Sequence, residues 1–302
     1  MNYLKLTFED IMQKKILYYD KEVETACFDI CNTLKIDNLP CYNSKSYYEL
    51  IDGNFIEKQI EENQKLNLND RIFEDTKIQQ FNNNKHNVLF VYDGNILKGI
   101  IHFADYNKNI VLKRIQDDVL NFEFNLREFL VLNGKSNNDI IEYYSHSLLN
   151  EKKERNKKHF ERRLNFLTSK VNEMSNLGPF QLCDLSDLMD YCNSSFSRNI
   201  FKFENHFDFD NKSGNHIIGP LRNMVMHGKN PIEKDNDSSI FSIESLNRFN
   251  KSLKILKYYN SKLEELIYNN EDYQLSVKLE NQNKLTIIHE HHPRALKYFI
   301  GY

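Results

Sequence analysis

The sequence predicts an α+β fold in which strands gather in the first part of the chain and helices dominate the rest. Three observations carry that expectation. Val88 to Tyr92 is a continuous apolar run, turned by Asp93-Gly94-Asn95 and answered by Ile96 to His102, which is a strong hairpin signal. Beyond residue 120 the apolar residues recur at helical spacing, as in Leu246, Phe249, Leu253, Leu256, Leu263 and Ile267. The 302 residues hold only 9 Gly and 5 Pro, which leaves little material for long irregular linkers.

Taken in order, Asp20 to Lys35 reads as an amphipathic helix with Val23, Cys27, Ile30, Cys31 and Leu34 on one side. Leu39-Pro40-Cys41-Tyr42 is a short extended stretch. The hairpin of 88–102 follows, and another helix begins near Asp105. Asn121 to Val131 carries Phe122, Leu126, Phe129 and Leu130 and stops at Gly134. Glu151 to Asn176 has a near-heptad seam of Phe160, Leu164, Leu167, Val171 and Met174, broken by Gly178-Pro179. Phe180 to Cys192 is amphipathic. Leu221 to His227 forms a short helix after Gly219-Pro220, with Gly228 as its stop. Ile243 to Tyr268 is a long core helix, and 275–279 with 284–288 suggest a terminal β-hairpin. The length favours more than one core, and the boundaries fall at 1–119, 120–270 and 271–302.

A net charge of −3 gives the chain no global attraction for nucleic acid, so any RNA contact must come from a local patch. No apolar run reaches the length of a membrane span, and the first residues lack a signal-peptide pattern. The 5 cysteines form no CxxC pair, and Cys27 and Cys31 sit on a helical apolar face. These features point to a cytoplasmic, reducing compartment.

The first part resembles a pair of CBS domains, each a strand-helix-strand-strand-helix unit. The resemblance rests on Phe8-Glu9-Asp10-Ile11-Met12, on Leu39-Pro40-Cys41, and above all on Val88 to Asp105, which matches the family's strand, turn, strand, then Gly-φ-φ-Thr-x-x-Asp ending. It implies that Asp105 binds the ribose hydroxyls of an adenine nucleotide, since a carboxylate can accept two hydrogen bonds from a cis-diol. His102 stands where Thr is usual. The first repeat, Tyr47-Tyr48-Glu49-Leu50-Ile51-Asp52-Gly53, lacks the motif, so at most one nucleotide site per pair is expected. Asp105 also suits a helix cap, and the two roles are compatible.

The second part resembles an all-α HEPN domain. Arg222-Asn223-Met224-Val225-Met226-His227-Gly228 matches its Arg-polar-x-x-x-His signature, and Phe122 to Phe129 is similar to its first helix. The resemblance implies RNA cleavage without a metal. Attack by a ribose 2′-OH needs a proton carrier active near neutral pH, which His227 supplies. It also needs a fixed cation for the phosphorane, which Arg222 supplies, with Asn223 orienting the pair. Five residues are about 500° of helix rotation, so Arg222 and His227 occupy neighbouring faces. The family completes such a sparse site by dimerisation, which implies a homodimer here. Taken as structure alone, the same segment is a short helix with a surface Arg and a dipole-facing His. The Tyr that follows the motif His in partners of nucleotidyltransferases is replaced by Lys229.

The run from Lys152 to Arg163, with Lys152, Lys153, Arg155, Lys157, Lys158, Arg162 and Arg163, reads either as a grip on the RNA backbone or as a solvated helix face. His289, His291 and His292 invite a zinc reading, but no Cys or HExxH lies nearby and the nuclease chemistry needs no metal, so none is expected. The combined expectation is a metal-independent endoribonuclease controlled by an adenine nucleotide, with a role in toxicity or anti-phage defence implied by the resemblance. The alternative is a non-catalytic nucleotide- or RNA-binding regulatory module.

Overall fold

Two two-residue turns, Asp52-Gly53 and Gly94-Asn95, organise the strands. The computed structural model describes residues 6–42, 45–84, 87–170, 180–194, 218, 221–222 and 242–271. Its elements are α1 (Phe8–Ile11), α2 (Glu24–Leu34), β1 (Asn38–Pro40), β2 (Ser46–Ile51), β3 (Asn54–Gln59), β4 (Lys65–Asn67), α3 (Asp75–Asn82), β5 (Val88–Asp93) and β6 (Ile96–His102). The helices α4 (Asn109–Leu132), α5 (Asn137–Asn150), α6 (Glu154–Ser169), α7 (Leu185–Asn193) and α8 (Ile243–Tyr268) follow. Internal contacts divide the chain into Met1–Arg114 with Lys229–Lys251, and Ile115–Gly228 with Ser252–Tyr302. The boundary expected at 119/120 and the division at 114/115 both fall within α4.

In the first unit β1-β2-β3 is an antiparallel meander. Asp52 and Gly53 both take positive φ, 49° and 81°, the requirement of a two-residue turn matched to strand twist. The second sheet, β4-β5-β6, pairs β4 parallel to β5 and β5 antiparallel to β6. The parallel pair needs a crossover, and α3 lies within it. The order β4-α3-β5-β6 followed by α4 is thus strand-helix-strand-strand-helix. As the central strand, β5 buries Leu89, Phe90, Val91 and Tyr92 in succession, which explains its uninterrupted apolar run.

The two-residue period of β2 divides its tyrosines between two cores. Tyr47 packs toward Phe90 with ring centroids 5.5 Å apart and joins Ile60, Tyr92 and Leu97. Its neighbour Tyr48 stacks on Tyr19 at 3.8 Å, beside Cys27, Cys31 and Leu39. On α2 only Cys27 and Cys31 are buried, whereas Val23 and Leu34 are exposed, so the apolar face is narrower than the sequence predicts. Lys35 ends this helix in the left-handed conformation. Near Asp105 the chain first makes a 3-10 turn, Phe103–Asn107, and then α4 runs unbroken to Leu132.

In the second unit α4 buries Ile115, Val119, Phe122, Leu126, Phe129 and Leu130 at three- and four-residue steps. Gly134 (φ 70°) ends it with the paired bonds Gly134 N–H to Val131 O and Lys135 N–H to Leu130 O. Ser136 then opens α5 through reciprocal bonds with Asp139. No sequence-based expectation covers this helix. In α8 the predicted set of Leu246, Phe249, Leu253, Leu256, Leu263 and Ile267 is buried throughout. Asn125 on α4 donates to Asn260 on α8 at 2.7 Å. The expected hairpin of 275–288 lies outside the described residues, as do Val171 and Met174 of the α6 seam.

Candidate functional site

The first unit holds a cavity of about 390 Å³, in the size range of small-ligand sites. Three pieces of chain form it. Residues 13–17 run beside β6, where Gln13 and Ile100 exchange both backbone bonds (2.8 and 3.2 Å). The link from α2 into β1 contributes Lys35, Ile36, Asp37, Asn38 and Leu39, and β5, β6 and the turn after it contribute Val88, Ile100, His102 and Asp105. Gly99 makes the first approach possible: a Cβ there would stand 2.4 Å from Met12 Sδ and 3.0 Å from the Gln13 carbonyl. The walls are aliphatic, and the polar lining mixes Lys15 and Lys35 with Asp37 and Asp105. Apolar walls with a few converging polar groups are the usual form of a small-molecule site.

Both predicted nucleotide-site residues line this cavity. Asp105 is buried and caps its 3-10 turn, since Oδ2 accepts the His102 N–H at 2.8 Å. Its Oδ1 accepts from Gln13 Nε2 at 2.8 Å and lies 3.0 Å from Lys108 Nζ. His102 Nδ1 accepts the Ala104 N–H at 3.2 Å, which leaves the proton of a neutral ring on Nε2. Burial pushes the His102 imidazole below its usual value, against the opposing pull of Asp105. At neutral pH it therefore offers an uncharged N–H donor where the resembled family has a hydroxyl.

In the second unit the Arg-Asn-x-x-x-His segment is described only at Arg222, a half-buried residue in helical conformation. Asn223 and His227 lie outside the described residues. The same unit holds a polar network that sequence reasoning missed, and Arg222 acts on its edge through the charge of Asp184. Asp187 joins three helices: from α6, Arg163 Nε donates to Oδ1 at 2.8 Å and its Nη2 donates to Oδ2. From α5, Tyr144 Oη donates at 2.6 Å, and at the start of α7 Asp187 forms a reciprocal capping pair with Asp184. Burial disfavours the charged form of Asp184. The Ser186 hydroxyl, the Asp187 N–H, Arg163 and Arg222 outweigh it and hold the carboxyl below its usual range. Arg127, paired with Glu123, pins the approach to α7 by donating to the carbonyls of Phe180 (3.2 Å) and Cys183 (2.9 Å).

This network changes the reading of the basic run. Lys152, Lys153, Arg155, Lys158 and Arg162 are exposed and Lys157 is half-buried, a distribution suited to solvent or to a polyanion. Arg163 differs: only 16% of its side chain is exposed and its fork is spent on Asp187. It belongs to the helix packing. The cysteines behave as apolar residues, with Cys27, Cys31, Cys183 and Cys192 buried and burial pushing the Cys183 thiol up to about 12.

Among the described residues no cluster of three or more His, Cys, Asp or Glu is placed to hold a metal, and no helix is long and apolar enough to cross a membrane. His289, His291 and His292 lie outside the described residues. No family model matches the chain, no curated protein matches it, and no solved structure matches it.

Proposed function

We propose that the chain is a metal-independent endoribonuclease controlled by an adenine nucleotide, with Arg222, Asn223 and His227 as the cleaving set. The observation that carries the reading is the setting of Arg222. Its charge favours the carboxylate of Asp184, and Asp184 caps α7 together with the buried Asp187, which ties α5, α6 and α7 together. A cation that stabilises a phosphorane has to be held before the substrate arrives, and such a network supplies the rigid support. His227 then moves the proton from the attacking 2′-OH. The exposed part of the basic run, Lys152 to Arg162, holds the RNA backbone, and a second copy of the chain brings a second Arg/His pair. The role in toxicity or defence follows from the same reading.

Regulation belongs to the first unit. His102 and Asp105 meet in one cavity together with Lys15 and Lys35, a donor, an acceptor and two cations of the kinds a ribonucleotide needs. This observation favours a second reading as well, in which the chain binds nucleotide or RNA and signals by assembly without cleaving. Induced expression separates the two. Growth arrest by the wild type, relieved by Arg222→Ala or His227→Ala, supports the nuclease. Harmless wild-type expression across nucleotide conditions supports the module.

A further inference from the structure

The acceptor of the cavity is already engaged by the chain's own donors. Asp105 Oδ1 takes Gln13 Nε2 at 2.8 Å and Lys108 Nζ at 3.0 Å, and Oδ2 takes the His102 N–H at 2.8 Å. A carboxylate offers about four lone-pair sites, so a cis-diol, which presents two donors, cannot be accepted in full until one resident donor leaves. The three residents differ in how firmly they are held. The His102 N–H is backbone and closes the 3-10 cap. Lys108 is an ion partner of Asp105, and its Nζ also donates to the carbonyls of Ile11 and Met12. Gln13 is fixed at its backbone by the two bonds to Ile100, but its neutral amide reaches Asp105 along a rotatable side chain.

We propose that Gln13 is an internal competitor for Asp105: its side-chain amide occupies the diol acceptor and is displaced by a ribonucleoside phosphate. Gln13 thereby lowers the affinity of the cavity for a full diol and offsets its preference for ribose. A ligand with one hydroxyl can use the open fourth site and leave Gln13 in place, whereas a ribose exchanges the Gln13 bond for its second hydrogen bond to the charged acceptor. Lys15 and Lys35 in the same cavity balance the ligand's phosphate. The proposal rests on the nucleotide-binding reading of the first unit.

Equilibrium binding to the full chain tests it, with AMP, ADP and ATP and their 2′-deoxy forms as probes. The proteins are wild type, Gln13→Ala, Gln13→Met (which keeps the length but not the donor) and Asp105→Asn. Both Gln13 variants are expected to bind the ribonucleotides about tenfold more tightly, the size of one charge-assisted hydrogen bond released. The gap between ribo and 2′-deoxy forms is expected to widen, because a 2′-deoxy ligand gains nothing from the acceptor site that Gln13 vacates, and Asp105→Asn is expected to weaken ribonucleotide binding. Unchanged or weaker binding by both Gln13 variants, with Asp105→Asn still disruptive, overturns the competitor and leaves the nucleotide site standing. Absence of binding by every protein overturns both.

Discussion

Replacing Asp187 by Ala strips three helices of their common anchor. The side chain of Asp187 is 1% exposed and that of Arg163 16% exposed. Its removal leaves two guanidinium donors of Arg163, the Tyr144 hydroxyl and the Asp184 N–H without their carboxylate. Breaking one side of a buried ion pair costs about 3–5 kcal/mol, mainly because the surviving charge stays desolvated. The residual access of Arg163 lets water reach its edge, which places the expected loss near the lower end, about 3 kcal/mol. That is more than a hundredfold, roughly, in the unfolding equilibrium. Urea unfolding followed by far-UV circular dichroism measures it on the helical unit, whose signal dominates. A second variant isolates the cause: Arg163→Met with Asp187→Leu removes both charges and is expected to recover most of the loss. A loss below about 1 kcal/mol for Asp187→Ala, at the level of exposed pairs, would refute the reasoning.

Two further perturbations probe the other unit and the pH response. Gly99→Ala drives a Cβ against buried Met12 and the Gln13 carbonyl, and overpacking of this kind costs about 1–3 kcal/mol; amide hydrogen exchange at Gln13 and Ile100 is expected to accelerate, and unchanged protection would contradict the close approach. The Asp184 carboxyl is held below its ordinary range in the folded chain. Its stabilising contribution is therefore complete above that range and is lost as pH falls through the depressed folded value. Asp184→Asn is expected to flatten the acid limb of the stability-pH curve, and an unaltered limb would show that its neighbours do not favour the charged form.

What the sequence made legible follows the range of the interactions. The hairpin of β5 and β6 is local, and its turn residues and apolar run placed both strands. Helix α8 was read from Ile243 to Tyr268 because its buried face repeats strictly at helical spacing. The β2–β3 hairpin carried an equally clear signal in Asp52-Gly53, but Glu49, Glu57 and Lys58 interrupt the apolar pattern around it. In α5 the buried Ile140, Tyr143 and Tyr144 stand among Asn, Ser and His residues that mask the periodicity. The α2 face was read too wide because spacing shows which residues share a side and not how much of that side is covered. The site was only half legible. Asp105 and His102 belong to a contiguous motif and fall together in one cavity. Gln13 lies 92 positions from Asp105, and Asp187 lies 24 and 43 positions from Arg163 and Tyr144. No local pattern marks such partners, which is why Arg163 read as a surface cation.

The most direct measurement of the central claim is the end group left on RNA by purified full-length protein in the presence of a chelator, with and without adenine nucleotide. A 2′,3′-cyclic phosphate is expected from the wild type, insensitive to the chelator, changed in yield by the nucleotide and lost in His227→Ala. Equal cleavage by His227→Ala, or cleavage abolished by the chelator, would contradict the assignment of Arg222 and His227 as a metal-independent ribonuclease site.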